Sequence, residues 1–345
     1  MMRLSVLDQS PIPKGGDPAT AIAETVKLAQ AAERLGYHRY WLAEHHNSNA
    51  FAGSCPEILI AKVASATKTI RVGSGGVMLP HYSPLKVAEQ FRMLELLTPG
   101  RIDLGLGRAP GTDQRTNAAL QAGPKAWDID AFPSQVHLLK QFLDDACGIA
   151  PFTDDHPYRG IRAMPTGPTR PEMWMLGSGI HGAVYAGELG LPFCHAYFIN
   201  TDGSEQACEE YRARFKPSSW CERPTVSMGV SALVGETEEE ARRLSASRNL
   251  WVVRLLTNRP IAFPSPEEAL NYPYTDQELA LLRTVERRSI VGTKEQVRAH
   301  LLGLADSHGA EELVVVTITY DYASRLRSYE LLADAFHLTP PAETR

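Results

Sequence analysis

Apolar and polar positions alternate along the chain with two different periods, which predict strands and helices in turn. Short apolar runs indicate buried strands, and each is followed by a segment with apolar residues at helical spacing. The eight predicted strands cover residues 3–9, 37–43, 70–79, 101–108, 172–176, 192–199, 225–234 and 312–319. Strands that alternate with helices form parallel sheets, so the pattern predicts an α/β protein. Eight such units predict a TIM (β/α)8 barrel.

Three stretches interrupt the alternation and are predicted to be insertions in a single domain of residues 1–345. They cover about 109–130, 148–171 and 236–290, and the main ones follow strands four and seven. Because Gly, Pro and Asn are frequent in the first two, we expect loops there. Within the third, a polar helix is expected at 237–256 and a loop at 257–275. Lid loops of barrel enzymes gate turnover, and we expect one at 255–290, where Arg287 or Arg288 would hold its closed position or a phosphate.

Composition narrows the class of protein. A net charge of −5 gives no reason to expect binding to nucleic acid or to a membrane surface. The five cysteines are odd in number and none has CxxC spacing, which argues against a disulfide framework or a zinc knuckle. No apolar run is long enough for a signal peptide or a membrane span. We therefore expect a cytoplasmic protein.

The second predicted strand ends in two histidines, in the sequence Tyr40-Trp41-Leu42-Ala43-Glu44-His45-His46. The carboxyl ends of barrel strands are where barrel enzymes carry out chemistry. Neighbouring strand residues point to opposite faces, so one histidine is expected at the barrel mouth and the other in a supporting position. The alternative is that both histidines are structural and cap the end of the strand.

Two glycine-rich motifs suggest contact with a ligand. Gly73-Ser74-Gly75-Gly76 lies inside an apolar strand, where glycine indicates a bulge or the close approach of a planar ligand; a barrel corner that needs no side chain is the alternative. Leu176-Gly177-Ser178-Gly179 directly precedes a helix, whose free N–H groups and dipole favour a phosphate.

Arg108, at the end of the fourth strand, is a suitable anion clamp because its guanidinium is a rigid bidentate donor. The Gly105–Pro110 segment lacks the third glycine of a dinucleotide fingerprint.

A metal site is the alternative interpretation of Glu44, His45 and His46. Such a site needs ligands from other strand ends, and Asp8, His195 and Asp321 are the candidates. Because the chain has no HxH spacing, we give this interpretation less weight. We expect no bound metal.

The chain resembles the bacterial luciferase-like flavin monooxygenases in segments that follow one another in the same order. These segments are 40–46 (YWLAEHH), 71–80 (RVGSGGVMLP), 84–108, 176–179 (LGSG), 188–192 (ELGLP) and 289–293 (SIVGT). The similarity covers nearly the whole chain, and the run from 37 to 108 is specific to that family. It is strongest to a branch of single-component oxygenases rather than to light-emitting subunits.

The resemblance assigns roles to individual residues. His45 matches the catalytic histidine, which would titrate near neutrality, and Glu44 would orient its ring. Arg108 matches the arginine that binds the flavin phosphate. The other cofactor-binding residues that the motifs and the resemblance predict are Ser74, Gly75, Gly76, Ser178, Gly179 and Gly182. The family has a non-proline cis peptide where this chain has Gly75-Gly76. Gly107 replaces a reactive cysteine of luciferase, and Gly182 replaces a phosphate-binding hydroxyl of many relatives.

The resemblance implies a monooxygenase that uses reduced flavin mononucleotide (FMN) and O2 to oxygenate a small organic substrate through a flavin peroxide. A separate NAD(P)H:flavin reductase would supply the reduced FMN. A homodimer would form through helices of the first half, where Val63, Ala64, Ala66 and the 87–97 segment are apolar or small. The alternatives are a dehydrogenase that depends on the deazaflavin coenzyme F420, and a flavin-binding protein without activity.

Overall fold

The computed structural model describes residues 2–108, 113–121 and 129–340. Within these ranges the chain forms nine strands: β1 (Arg3–Asp8), β2 (Arg39–Leu42), β3 (Arg71–Met78), β4 (Ile102–Gly107), β5 (Glu172–Gly177), β6 (Phe193–Ala196), β7 (Val226–Val234), β8 (Ser289–Gly292) and β9 (Glu312–Val316). All their pairings are parallel.

Twelve α-helices of the same ranges connect and surround the strands. They are α1 (Pro18–Leu35), α2 (Pro56–Ala66), α3 (Pro84–Leu97), α4 (Gln114–Leu120), α5 (Phe132–Ala146), α6 (Ile180–Leu189), α7 (Ser204–Arg214), α8 (Glu238–Leu256), α9 (Pro266–Leu270), α10 (Asp276–Arg287), α11 (Lys294–His308) and α12 (Tyr322–Ala335). No helix in the described part of the chain is long and apolar enough to cross a membrane.

Eight of the strands close a barrel. The order is β1 to β7 and then β9, which pairs with both β7 and β1. The predicted TIM barrel is therefore confirmed. β8 was not predicted; it pairs with β7 beyond the barrel wall, where Ser231 lies opposite Ser289. Four residues are too short for a periodic signal, so only the pairing with β7 reveals this strand.

The insertions contain more regular structure than the sequence patterns predicted. α4 lies in the segment that was predicted to be a loop at 109–130; residues 109–112 and 122–128 are outside the described residues. The predicted loop at 257–275 contains α9, which begins with a capping box between Ser265 and Glu268. The S-x-x-E pattern was present in the sequence, and its box satisfies free N–H groups at the start of the helix.

Charged side chains close the amino-terminal end of the barrel interior. Arg39 pairs with Asp103 and Glu312 at 3.0 Å each, and Arg71 also binds Asp103. Although burial opposes ionisation of Asp103, the charges of Arg39 and Arg71 hold its pKa below the ordinary value. Trp41 donates from Nε1 to Asp103 at 2.9 Å and begins the apolar layer above this network. Among the described residues these side chains close the amino-terminal half of the barrel interior, so ligand space inside the barrel lies in its carboxyl half.

Candidate active site at the carboxyl end of the barrel

A cavity of about 430 Å³ opens at the carboxyl end of the barrel. Its inner surface is mainly apolar and includes Leu7, Trp41, Cys194 and Val314, which come from four different strands. A volume of this size is typical of a site for a small molecule or a cofactor.

Glycines on β3 and β4 allow the neighbouring backbone and side chains of the wall to approach closely. A Cβ on Gly75 would lie 2.6 Å from Leu7 Cδ1, and one on Gly76 would lie 2.7 Å from the Gly105 carbonyl oxygen. Both glycines line the cavity, and the register with β4 shifts between Ser74 and Val77. The predicted bulge and the cis peptide at Gly75-Gly76 are both confirmed.

Ser74 lies outside the cavity wall, unlike its glycine neighbours. Its side chain is fully buried, and the hydroxyl donates to the Gly105 carbonyl oxygen at 2.9 Å. The prediction that Ser74 contacts a cofactor is therefore corrected: its hydroxyl ties β3 to β4 behind the glycines.

One end of the cavity is suited to an anion. Arg108, Ser178, Gly179 and Gly182 all line it, so the structure brings these predicted residues together. Gly179 is the N-cap of α6 and makes no side-chain capping bond. Gly182 lies close to Gly177, because a Cβ on it would be 3.4 Å from the Gly177 Cα atom. The turn is thus compact, and free backbone N–H groups and a guanidinium are present at the same end.

His45 lies at the mouth of the barrel beside the apolar inner cluster, although it is not part of the cavity wall. Its ring centroid is 4.7 Å from that of Phe51, and its backbone N–H donates to the Gly53 carbonyl oxygen at 2.8 Å. Its Nδ1 atom is buried and has no hydrogen-bond partner among the described residues. Burial lowers the pKa of His45 to about 4, although the charge of Glu44 opposes this. The expectation that His45 titrates near neutrality is therefore wrong, and its ring is neutral at pH 7.

Glu44 binds His46 rather than His45. Its Oε1 accepts from Tyr82 at 2.7 Å and lies 2.8 Å from His46 Nε2, while Oε2 accepts from the Met78 backbone N–H at 2.9 Å. The predicted role of Glu44, to orient the ring of His45, is corrected by these bonds. Because Met78 lines the cavity, the buried carboxylate positions the end of β3.

The metal candidates are engaged in other interactions. Asp8 pairs with Arg325 at 2.5 Å, and Asp321 caps α12. His195 Nε2 is 3.1 Å from the Asn200 carbonyl oxygen. In the part of the chain that the structure describes, no three His, Cys, Asp or Glu side chains form a group that could hold a metal.

Sequence reasoning missed several residues of the cavity wall. Trp41 was assigned to the core, yet it also lines the cavity, as do Tyr185 and Phe198. Phe51 and Trp251 meet above them with ring centroids 5.2 Å apart. Because a core aromatic and a ligand-facing aromatic have the same sequence pattern, only the barrel register could have separated them.

A TIM barrel with an apolar, glycine-lined cavity and a cationic end at its carboxyl face has the arrangement of a barrel enzyme with a small-molecule site. The model of the family described as luciferase-like monooxygenase matches residues 2–311. The chain belongs to this family, which is a family of oxidoreductases.

Relatives of high similarity extend over the whole chain. An uncharacterized Bacillus subtilis protein, YwcH, is 45% identical over 97% of this chain and 99% of its own length. The N-acetyl-S-alkylcysteine monooxygenase of Bacillus subtilis is 40% identical over 97% of this chain and 98% of its own. The crystal structure of apo-MsnO8 has a TM-score of 0.89 at 39% identity and covers 99% of this chain and 100% of that one.

More distant structures share the fold but have different cofactors. The oxygenating constituent of 3,6-diketocamphane monooxygenase from Pseudomonas putida, in complex with FMN, has a TM-score of 0.69 at 18% identity, with 96% of each chain covered. An F420-dependent secondary alcohol dehydrogenase has a TM-score of 0.67 at 15% identity, with 97% of this chain and 98% of that one covered. At these identities the likeness concerns the fold alone.

Proposed function

We propose that this protein is a monooxygenase that uses reduced FMN and O2 to oxygenate a small organic substrate. The observation that carries the proposal is the combination, in one cavity, of a glycine wall on β3 with Arg108 and the start of α6 at its end. Apolar space beside glycines fits a planar ring, and a guanidinium beside free helix N–H groups fits a phosphate.

The residues present fit such a cofactor. Gly75 and Gly76 line the cavity with backbone alone, which lets a flat ring approach β3 closely, and the Nδ1 atom of His45 is buried without a partner among the described residues. Gly75 and Gly76 would hold the ring system, and Arg108 with Ser178 and Gly179 would hold the phosphate. When bound, reduced flavin supplies the two electrons with which one atom of O2 is transferred and the other is reduced to water.

The protein's own residues bind and orient the reacting molecules, and they exclude water. Leu7, Trp41 and Val314 make the inner surface of the cavity apolar, so that water is kept from the reacting groups. His45 is neutral at physiological pH and offers one ring nitrogen, Nδ1, for a hydrogen bond at the mouth. In this proposal His45 stabilises a polar group of the reacting complex as a neutral hydrogen-bonding partner. A separate NAD(P)H:flavin reductase would supply the reduced FMN.

The first test is the binding of reduced FMN under anaerobic conditions. The substitution Arg108→Ala is expected to weaken binding by about 1.5 to 3 kcal/mol, the usual contribution of hydrogen bonds to a charged group. Arg214→Ala is the control, because Arg214 is 57% exposed and pairs only at the surface with Glu210 among the described residues. Oxidised FMN should bind weakly, so that the protein purifies nearly colourless. Equal affinity of wild type and Arg108→Ala for reduced FMN would remove Arg108 from the phosphate site.

The second test separates the candidate functions. With reduced FMN, 18O2 and N-acetyl-S-alkylcysteines as first substrates, which the name of one relative suggests, a monooxygenase gives a product that carries one 18O atom. Binding of reduced F420, with hydride transfer that needs no O2, would instead support a deazaflavin-dependent dehydrogenase. Tight binding of reduced FMN with no turnover of any tested substrate would support a flavin-binding protein without activity.

A further inference from the structure

Arg248 on α8 is an enclosed arginine with no acidic partner among the described residues. Its Nη1 donates to the Ser289 hydroxyl at 2.7 Å, and the Ser289 hydroxyl in turn donates to that of Ser231 at 3.3 Å. Burial lowers the pKa of Arg248 to about 10, and the positive charge of Arg288 lowers it further. The side chain nevertheless keeps partial contact with solvent.

Other enclosed arginines of the described residues have carboxylate or carbonyl partners. Arg39 binds two carboxylates, and Arg325 binds Asp8. Arg254, two turns further along α8, pairs with Glu278 at 3.1 Å. An enclosed guanidinium without a counter-charge is costly, because its desolvation is not offset by an ion pair. Arg92, which is fully buried and also lacks a carboxylate, donates instead to the carbonyl oxygens of Pro165 and Thr169. Arg248 has neither a carboxylate nor a carbonyl partner among the described residues, only the Ser289 hydroxyl, and this deficit fits an absent anion.

The position of Arg248 connects it to the candidate active site. Ser231 is two residues beyond Gly229, which lines the cavity, so both face the barrel interior. Two strand residues span roughly 7 Å, which brings the serine pair close to the cavity. On α8, Trp251 is one turn from Arg248 on the same helix face, and its ring meets Phe51, which in turn meets His45.

We propose that Arg248, supported by Arg288 and Ser289, binds the carboxylate of the organic substrate at the barrel mouth. This inference rests on the proposed function, and it names the substrate class: a small organic acid whose apolar part contacts the Phe51–Trp251 cluster. A guanidinium binds a carboxylate through two parallel hydrogen bonds, and the low polarity of the site strengthens them. Arg108 binds the cofactor phosphate at the α6 end of the cavity, so two anions would have separate sites.

The probes are phenylacetate and phenylacetamide, which have the same shape and differ in charge. Binding is measured by calorimetry on flavin-free protein, so the result does not depend on turnover. Wild type is expected to bind the acid at least about 10-fold more tightly than the amide, in keeping with a charged hydrogen bond. Arg248→Gln should remove this preference. Arg242→Gln on the same helix is the matched control, since Arg242 is 75% exposed and pairs only with Glu238 among the described residues.

Three results would overturn the proposal. In the first, wild type binds the two probes equally or binds neither. In the second, Arg248→Gln keeps the preference for the acid. In the third, Arg248→Gln weakens the binding of reduced FMN as much as Arg108→Ala does, which would assign Arg248 to the cofactor phosphate. None of these results contradicts the proposed monooxygenase, which fails instead if wild type does not bind reduced FMN.

Discussion

His45 and His46 are neighbours in sequence with different surroundings in the fold. His46 shares a bond with Glu44, whose carboxylate also holds Tyr82 and the end of β3. His45 contacts Phe51 and has a buried nitrogen without a partner in the described chain. At the scale of single residues, the hydrogen-bond partners therefore separate a supporting side chain from one that is available to a ligand.

We expect His45→Ala to fold and to bind reduced FMN, while coupled product falls by roughly 10²-fold, the usual loss when one preorganised hydrogen-bonding partner of the reacting group is removed. His46→Ala should mainly cost stability, because Glu44 then loses a partner. Product yield, release of hydrogen peroxide and melting temperature, measured on both variants, test this. If His46→Ala abolished product while His45→Ala did not, the two roles would have to be exchanged.

The low pKa of His45 also predicts a dependence of stability on pH. The folded-state value of about 4 lies below the ordinary value of 6.5, so the unfolded chain takes up the proton first as the pH falls. The stability that the neutral ring contributes is complete above pH 6.5 and is lost towards pH 4. Relative to His45→Gln, wild type should lose on the order of 2 kcal/mol of unfolding free energy between pH 7 and 4.5. This loss is smaller than the free energy that corresponds to the whole pKa shift, because the ring is partly exposed to solvent. Urea unfolding at several pH values measures this difference, and a constant difference would contradict it.

At the scale of elements, β3 and β4 form the glycine wall of the site. Gly105 and Gly107 both face the barrel interior, but a new Cβ would meet different atoms at each. At Gly105 it would lie 2.1 Å from the Ser74 carbonyl oxygen, and at Gly107 it would lie 3.0 Å from Met78 Cε. Backbone in a closed barrel cannot move aside, whereas the end of a methionine side chain can.

Gly105→Ala is therefore expected to destabilise the protein by 3 kcal/mol or more, roughly the upper range for overpacking, or to prevent folding. Gly107→Ala should leave the melting temperature nearly unchanged. It should weaken the binding of reduced FMN, because the methyl group of the alanine enters the cavity. Gly303→Ala is the control: nothing lies within 4 Å of the added Cβ, and alanine in the interior of α11 should stabilise by up to about 1 kcal/mol. Thermal melts and anaerobic titrations test all three, and a Gly105→Ala variant as stable as wild type would contradict the close approach of β3 and β4.

At the scale of the whole molecule, α2 and α3 present large apolar side chains to solvent. Ile58 is 65% exposed, Met93 51% and Leu97 64%. Val63 and Ala64, which suggested the dimer from the sequence, are buried within the barrel core. The prediction of a dimer through these helices therefore now rests on the three exposed side chains.

Light scattering should give twice the 38.0 kDa mass of one chain at micromolar concentration. Leu97→Glu and Ile58→Glu should each reduce the mass towards that of one chain, because a buried charge without a partner is costly. Ile161→Glu is the matched control, since Ile161 is 44% exposed in the 148–171 segment, away from these helices in sequence. A wild-type mass of one chain would contradict the dimer.

Local and periodic features of the sequence determined the barrel and part of the site. Eight apolar runs separated by amphipathic segments predicted the eight barrel strands, and Asp17, Gly36 and Thr293 marked helix ends that the structure shows. These features are readable because capping and periodicity depend on residues a few positions apart. The sequence also predicted six cofactor-binding residues that all line one cavity: Arg108, Gly75, Gly76, Ser178, Gly179 and Gly182.

Tertiary structure alone decided what depends on contacts between distant segments. The bonds of Glu44 to Met78 and Tyr82 and the pairing of β8 with β7 join residues far apart in the chain. The low pKa of His45 and the outward position of Ser74 depend on burial and on the neighbouring strand. Arg248 is indistinguishable in sequence from the surface arginines of α8. Its lack of a counter-charge appears only when β7, β8 and α8 come together, because burial and pairing are properties of the folded chain and not of a sequence window.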